Sequence, residues 1–329
     1  INSYNTWRPF TSMKESGLIL SSVENSELTY EKKHELNIGA EIGFIDNRIN
    51  IEADWYTRNN FDLIGLIYTK GTGGQLAKFA NVASMKSSGV EFTVSTRNIK
   101  TKDFSWNTDF IFSHTKNEVT DLQSNASVMD MISGNGFAME GYPVRALFSM
   151  DFQGLNENGY PTFINEKGQL TVSDINFQEQ LKKDHLVYEG PTDPTMTGSL
   201  GNIFRYKGFT LNAFITYSFG NVIRLDPVFH NVYSDLDAMP REFINRWTTG
   251  GDEKVTNVPV IADKRANQQD PYLSYAYNAY NYSTERIAKG DFIRMKELSL
   301  SYNFPKKMIS RLKVNDLSLK IQATNLFLI

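Results

Sequence analysis

Apolar side chains fall at every second position in eight stretches of this chain. That period belongs to a strand with one dry face and one wet face. Residues 33–44 place Leu36, Ile38, Ala40, Ile42 and Phe44 on one side, and 48–57 place Ile49, Ile51, Ala53, Trp55 and Thr57 there. Residues 89–96 offer Val90, Phe92, Val94 and Thr96, and 104–112 offer Phe104, Trp106, Thr108, Phe110 and Phe112. Further on, 199–206 give Leu200, Asn202, Phe204 and Tyr206, and 209–217 give Phe209, Leu211, Ala213, Ile215 and Tyr217. The last two stretches carry Leu298, Leu300, Tyr302 and Phe304, then Leu317, Leu319, Ile321 and Ala323. None of these positions is charged, whereas a chain with 22% charged residues would place about eight charges among them by composition alone. The opposite parity holds Glu35, Glu41, Glu52, Asp54, Glu91, Asp109 and Lys320. Asn202 is the polar exception on the dry side.

The connections alternate in length. Ile45-Asp46-Asn47, the turn around Lys100 to Asp103, Lys207-Gly208 and the stretch 305–315 are the short ones. Residues 58–88, 115–195 and 220–290 are the long ones. Strict short-long alternation puts every long connection at one end of an antiparallel sheet, the habit of outer-membrane barrels. Structureless loops of this length are uncommon in compact soluble domains. Aromatic residues sit near the strand ends, and Trp55, Trp106, Tyr206 and Tyr217 are the candidate girdle at the two membrane surfaces. Packing inside a soluble β-protein is the competing use for such rings. The expected fold class is all-β, an antiparallel transmembrane β-barrel in which Ile38, Val94, Leu211 and Leu300, read as mid-strand, face lipid.

Composition narrows the picture. The 329 residues lack the run of about 20 apolar residues that a membrane helix needs. A negative mean hydropathy is what alternating barrel strands produce. The net charge of −3 offers no basic patch for nucleic acid, and the absence of cysteine excludes disulfides and thiolate metal sites. His34, His114, His185 and His230 are scattered without helical metal-ligand spacing. Residues 71–74, GTGG, lack the Gly-Lys-Ser/Thr of a phosphate loop. No catalytic, cofactor-binding or metal-binding residue is assigned.

Several stretches in order resemble one family. SSGVEFTVSTRNIKTKDFSWNTDFIFSHTKNEVTDL (87–122) looks like a hairpin of the SusC/RagA-like TonB-dependent outer-membrane transporters. EGYPVRALFSMDFQGLNENGYPTF (140–163) and PTDPTMTGSLGNIFRYKGFTLNAFITYSFGN (191–221) resemble its next segments. GDFIRMKELSLSYNFPKK (290–307) and LKVNDLSLKIQATNLFLI (312–329) resemble its closing strands. The resemblance covers about residues 25–329. It implies that 1–329 is the C-terminal part of a barrel of about 22 strands, with an N-terminal plug and a final strand lying outside this sequence. It implies import of a large nutrient, an oligosaccharide or an oligopeptide, without catalysis or cofactor. The implied partners are a SusD-like surface lipoprotein, the TonB complex acting through the N-terminal region, outer-membrane lipid, and a second transporter-lid pair in a dimer. A passive porin and a soluble glycan-binding β-sandwich are the alternatives. Within the long loops, 270–286 gather Tyr272, Tyr275, Tyr277, Asn278, Tyr280 and Tyr282, which suit contact with cargo or lid. Packing of the loop onto its neighbours is the other reading of these tyrosines.

Overall fold

The computed structural model describes residues 4–6, 18–20, 25–68, 77–123, 126–229, 240–262, 264–310 and 314–329. One antiparallel sheet of eight strands dominates: β1 (Lys32–Phe44), β2 (Ile49–Tyr68), β3 (Ala77–Lys100), β4 (Phe104–Leu122), β5 (Met196–Tyr206), β6 (Phe209–Phe219), β7 (Phe292–Asn303) and β8 (Ser318–Thr324). Each strand pairs with the next, and β1 and β8 are the open edges among the described residues. The eight alternating stretches fall one to a strand. No helix among the described residues is long and apolar enough to cross a membrane.

Register turns the alternation of single strands into rows across the sheet. Ile42, Ile51, Val94, Phe110, Leu200, Ile215 and Met295 are successive partners, an uncharged row over seven strands. One residue along, on the other face, the row reads Gly43, Asn50, Ser95, Asp109, Gly201, Phe214 and Glu297. Of the five register shifts in the sheet, two fall near the apolar row and the short turns. Lys296 is the extra residue between Met295 and Glu297, so Ile293 and Met295 share the apolar face with Leu298 and Leu300. Asn98 is the extra residue between Arg97 and Ile99, which places Ile99 beside Trp106.

The short turns are built for their sharpness. Lys207 and Gly208 both have positive φ, the two-residue turn whose twist matches a hairpin. A Cβ on Gly208 would press on the Asn303 carbonyl. Ile45, Asp46 and Asn47 all take positive φ in the β1–β2 turn.

Two expectations about the long connections need correction. Residues 58–88 are mostly strand: β2 runs for 20 residues and β3 for 24, well past the 9–11 that a bilayer requires. Only 69–76 separate them, and those lie outside the described residues. Nor are 115–195 and 220–290 structureless. The first holds the end of β4 and, from Val128 on, helix and strand; the second adds further helices and one more strand pair. The antiparallel order still puts all three at the end opposite the turns at 45–48, 101–103 and 207–208.

Candidate functional site

The polypeptide that leaves β4 and the polypeptide that leaves β6 fold together into one module. Strands Ala146–Met150 and Leu186–Pro191 pair, and Phe152–Leu155, Pro161–Ile164 and Leu170–Thr171 form a small sheet. Val222–Arg224 pairs with Ile287–Lys289 at the base. Helix α1 (Val128–Ile132) starts on a capping box: Asp130 N–H donates to Ser127 Oγ while the Asp130 carboxylate accepts the Ser127 N–H. Val128, Ile132, Met150, Phe163, Val228, Leu273 and Tyr280 then close a core at essentially zero exposure.

Residues 264–269 form α2 (Lys264–Gln269), and α3 (Leu273–Asn281) follows. The tyrosine-rich stretch is therefore a helix. Leu273, Ala276, Tyr277 and Tyr280 stand at i, i+3, i+4 and i+7 and are its buried face. The sequence leaves surface contact and packing both open for these tyrosines, and the structure packs Tyr277 and Tyr280. Tyr277 donates its hydroxyl to Val260 O at 2.7 Å, and its ring meets Phe229 with centroids 4.6 Å apart. Tyr280 packs on Phe152 and Phe229, and burial pushes its phenol pKa up. Neither ring has surface to offer a partner, which corrects their place among the contact residues. Asn278 and Tyr282 are half-buried, while Tyr272 and Tyr275 are exposed. Those two rings lie 5.8 Å apart, and Tyr275 meets Phe177 edge-on.

Buried polar groups tie the two insertions together. Asn281 accepts from the N–H groups of Val228 and Phe229 and donates to Phe229 O at 2.8 Å, satisfying three main-chain groups inside the core. Arg224 donates to Phe148 O, Ser149 Oγ and Ser283 O. Desolvation lowers its pKa to about 10, with Glu189 opposing the shift, so it stays cationic at neutral pH. Arg286, also buried, pairs with Glu242 and donates to Asp226 O. Ser173 donates to Asp270 at 2.8 Å across the same seam.

In the sheet, Val94 stands at the middle of the apolar face, and Ile38, at the centre of β1, pairs with Trp55. Leu211 and Leu300 are partners only two residues from the Tyr206–Phe209 turn level. They are thus close to one rim, not mid-strand. Ile38, Leu211 and Leu300 are exposed, and Val94 is half-buried, as are Phe110, Leu200 and Ile215 in its row. The four girdle candidates divide by level. Trp106 and Tyr206 lie near the short turns, Tyr217 lies near the module end of β6, and Trp55 stands opposite the centre of β1. Ten residues of β5 separate Tyr206 from Met196, about 24 Å of height at a tilt of about 45°, which matches an apolar band of about 25 Å. Tyr217 donates to Ile111 O at 2.8 Å, its phenol lying over Gly198 where a Cβ would collide with it.

The register also accounts for Asn202. Its Oδ1 accepts from the Trp106 indole at 2.9 Å and from Thr108 Oγ1 at 2.7 Å, and Asn98 Nδ2 donates to Thr108 Oγ1. The bulge that displaces Asn98, which also accepts from Thr96 Oγ1, thus brings it into a five-residue polar network on the apolar face. On the opposite face, Glu41 stands across from Glu52 and Asp54 from Glu91. Like charges so placed repel, and hydration is the ordinary relief. Among the described residues no group of three or more His, Asp or Glu side chains is placed to hold a metal. His230 lies outside them.

No family model matches the chain. Curated relatives do. TonB-dependent receptor P3 of Formosa agariphila is 23% identical, over 99% of this chain and 33% of its own length. TonB-dependent receptor P39 of the same organism is 25% identical over 92% of this chain and 32% of its own length. TonB-dependent receptor SusC of Bacteroides thetaiotaomicron is 27% identical over 65% of this chain and 23% of its own length. The chain thus spans about a third or less of these relatives. Among solved structures, the RagAB peptide transporter superposes over the whole chain and 35% of its own, with a TM-score of 0.77 at 20% identity. The same importer in its open-open state gives 0.74.

Proposed function

We propose a function for this chain as what its sequence and fold make it, a stretch of the β-barrel of a SusC-like TonB-dependent receptor in the bacterial outer membrane. The complete protein imports a large nutrient, an oligosaccharide or an oligopeptide. The barrel is one of about 22 strands, and residues 1–329 are its C-terminal part, with a plug domain and a final strand supplied by the remainder. The observation that supports this best is the division of the chain into an uncharged sheet face and a folded module at one end of the sheet. An edge strand in lipid leaves backbone groups unpaired at several kcal/mol each, so β1 and β8 need further strands beside them.

On this reading Ile38, Val94, Leu211 and Leu300 face acyl chains, and Trp55, Trp106, Tyr206 and Tyr217 form the two girdles. The acidic face lines the lumen. The module, with the exposed Tyr272 and Tyr275, meets a SusD-like lipoprotein that closes over the cargo. Energy comes from the TonB complex, and two transporter-lid pairs form a dimer. Cargo passes chemically unchanged.

The test is growth and association. Disabling TonB or deleting the gene should abolish growth on the cognate polymer. Tyr272→Ala combined with Tyr275→Ala should weaken co-purification of the lid while the barrel still assembles. Growth that is indifferent to TonB would remove the energy-coupled reading and leave a porin.

A further inference from the structure

A half-open cavity of about 300 Å³ lies where β4 rises past the end of β5. Its origin is a missing rung in the β ladder. Thr115 N–H donates to Thr195 O, and four residues on Val119 N–H donates to Tyr142 O while Gly141 N–H donates to Val119 O. Alternate residues of a strand point their main-chain groups the same way. The N–H and C=O of Asn117, midway between these rungs, therefore also point toward the module, and neither meets a main-chain group there among the described residues. Pro143 and Pro194 flank the gap, and proline has no N–H with which to continue a ladder. The Asn117 side-chain Oδ1 accepts from Val144 N–H at 2.8 Å, which holds the residue against the module. Its main chain is left to be recognised beside the free side-chain amide.

The walls suit a side chain next to such a backbone. Tyr142 and Tyr188 line the cavity with ring centroids 4.8 Å apart, both backed by Phe148. Asp193 at the rim is held by Arg145 at 2.8 Å. An extended peptide offers the alternating N–H and C=O that a bare strand edge accepts, and pockets beside the edge read its side chains. At one rung the discriminating feature is the spacing of a single residue's N–H and C=O, which matches both groups of Asn117 as in a narrow antiparallel pair and which ring hydroxyls do not reproduce.

We propose that this cavity is a subsite for the backbone of a short peptide, which adds one rung at Asn117 and lays an apolar side chain against Tyr142 and Tyr188. The proposal rests on the transporter reading and names an oligopeptide as the cargo, or part of the cargo, that the module meets first.

The experiment uses the full-length protein in detergent and the tripeptide alanyl-leucyl-alanine, with maltotriose as the carbohydrate arm, by calorimetry. Asn117→Ala removes the side-chain bond to Val144 and keeps the N–H; Asn117→Pro removes both. Tripeptide affinity should fall about five-fold further in Asn117→Pro than in Asn117→Ala, the loss expected for one hydrogen bond. Tyr188→Ala should also weaken it, and maltotriose should not compete. Equal affinity in the two Asn117 variants, maltotriose competition, or no tripeptide binding by the unaltered protein overturns the subsite. Each of those results leaves TonB-dependent growth intact if the transporter reading is sound, so the two can fail separately.

Discussion

The sheet and the module are made by one chain but solve opposite problems. In the sheet, Ile38, Leu300 and Ile321 are 59%, 46% and 68% exposed, and the apolar face has no protein cover. In the module, Met131, Ile132, Leu147, Met150 and Phe163 are at 0%. The module buries its apolar residues as a soluble domain does, whereas on the proposed reading the sheet leaves them for lipid to receive. Its order comes from main-chain pairing between neighbouring strands. Large apolar residues are buried in one half of this protein and exposed in the other.

The sharpest break in the comparison is a core deletion. Phe163→Ala should cost the module about 3–5 kcal/mol, the usual price of emptying a buried aromatic site. Limited proteolysis should cut within 126–290 while the barrel keeps its heat-modifiable mobility. Loss of the barrel band at the same time would mean that sheet and module are one cooperative unit.

Charge placed on the apolar face should act by depth. Val94→Arg, in the middle row, should cost about 2–4 kcal/mol in denaturant titrations of refolded protein, and Leu211→Arg near the rim about 1 kcal/mol or less. Glu52→Arg on the opposite face should be tolerated, since it also removes the repulsion from Glu41. Equal costs at Val94 and Leu211 would remove the depth assignment.

Asn202→Leu tests whether the polar network holds the lower sheet. Losing the bonds to Trp106 and Thr108 should cost about 0.6–1.7 kcal/mol, the range of hydrogen bonds in membrane proteins. Trp106 fluorescence should shift as its indole loses its acceptor. A more stable variant would mark the network as a functional feature kept at a cost in stability.

The smallest effect lies in the module. Burial lowers the His185 pKa below 6.5, outweighing the pull of Glu166, Glu179 and Asp184, and its Nδ1 is buried without a partner. The folded module thus prefers the neutral ring. Its contribution is complete above the unfolded pKa of about 6.5 and is lost as pH falls through the folded value. Protease resistance of the module should decline modestly over that acidic window and less so in His185→Gln. An identical decline in both would assign the acid sensitivity elsewhere.

The sequence by itself determined the wall. Alternation is a local property, because successive strand residues face opposite sides whatever lies beyond them. Turn chemistry is local too: Lys207-Gly208 was legible as a tight hairpin and folds as one. The two bulges were not visible, since an extra residue shows only against the partner strand, and with them went Ile99, Met295 and the role of Asn202. Depth in the membrane was equally hidden, because it is set by how eight strands align. The module belonged wholly to tertiary structure. Its ties join residues far apart in sequence: Asn281 to Phe229 across 52 positions, Arg224 to Phe148 across 76, and Ser173 to Asp270 across 97. No window along the chain contains both partners of such a contact. What looked like two long loops and a surface of tyrosines became, once those partners met, one core with Tyr277 and Tyr280 inside it.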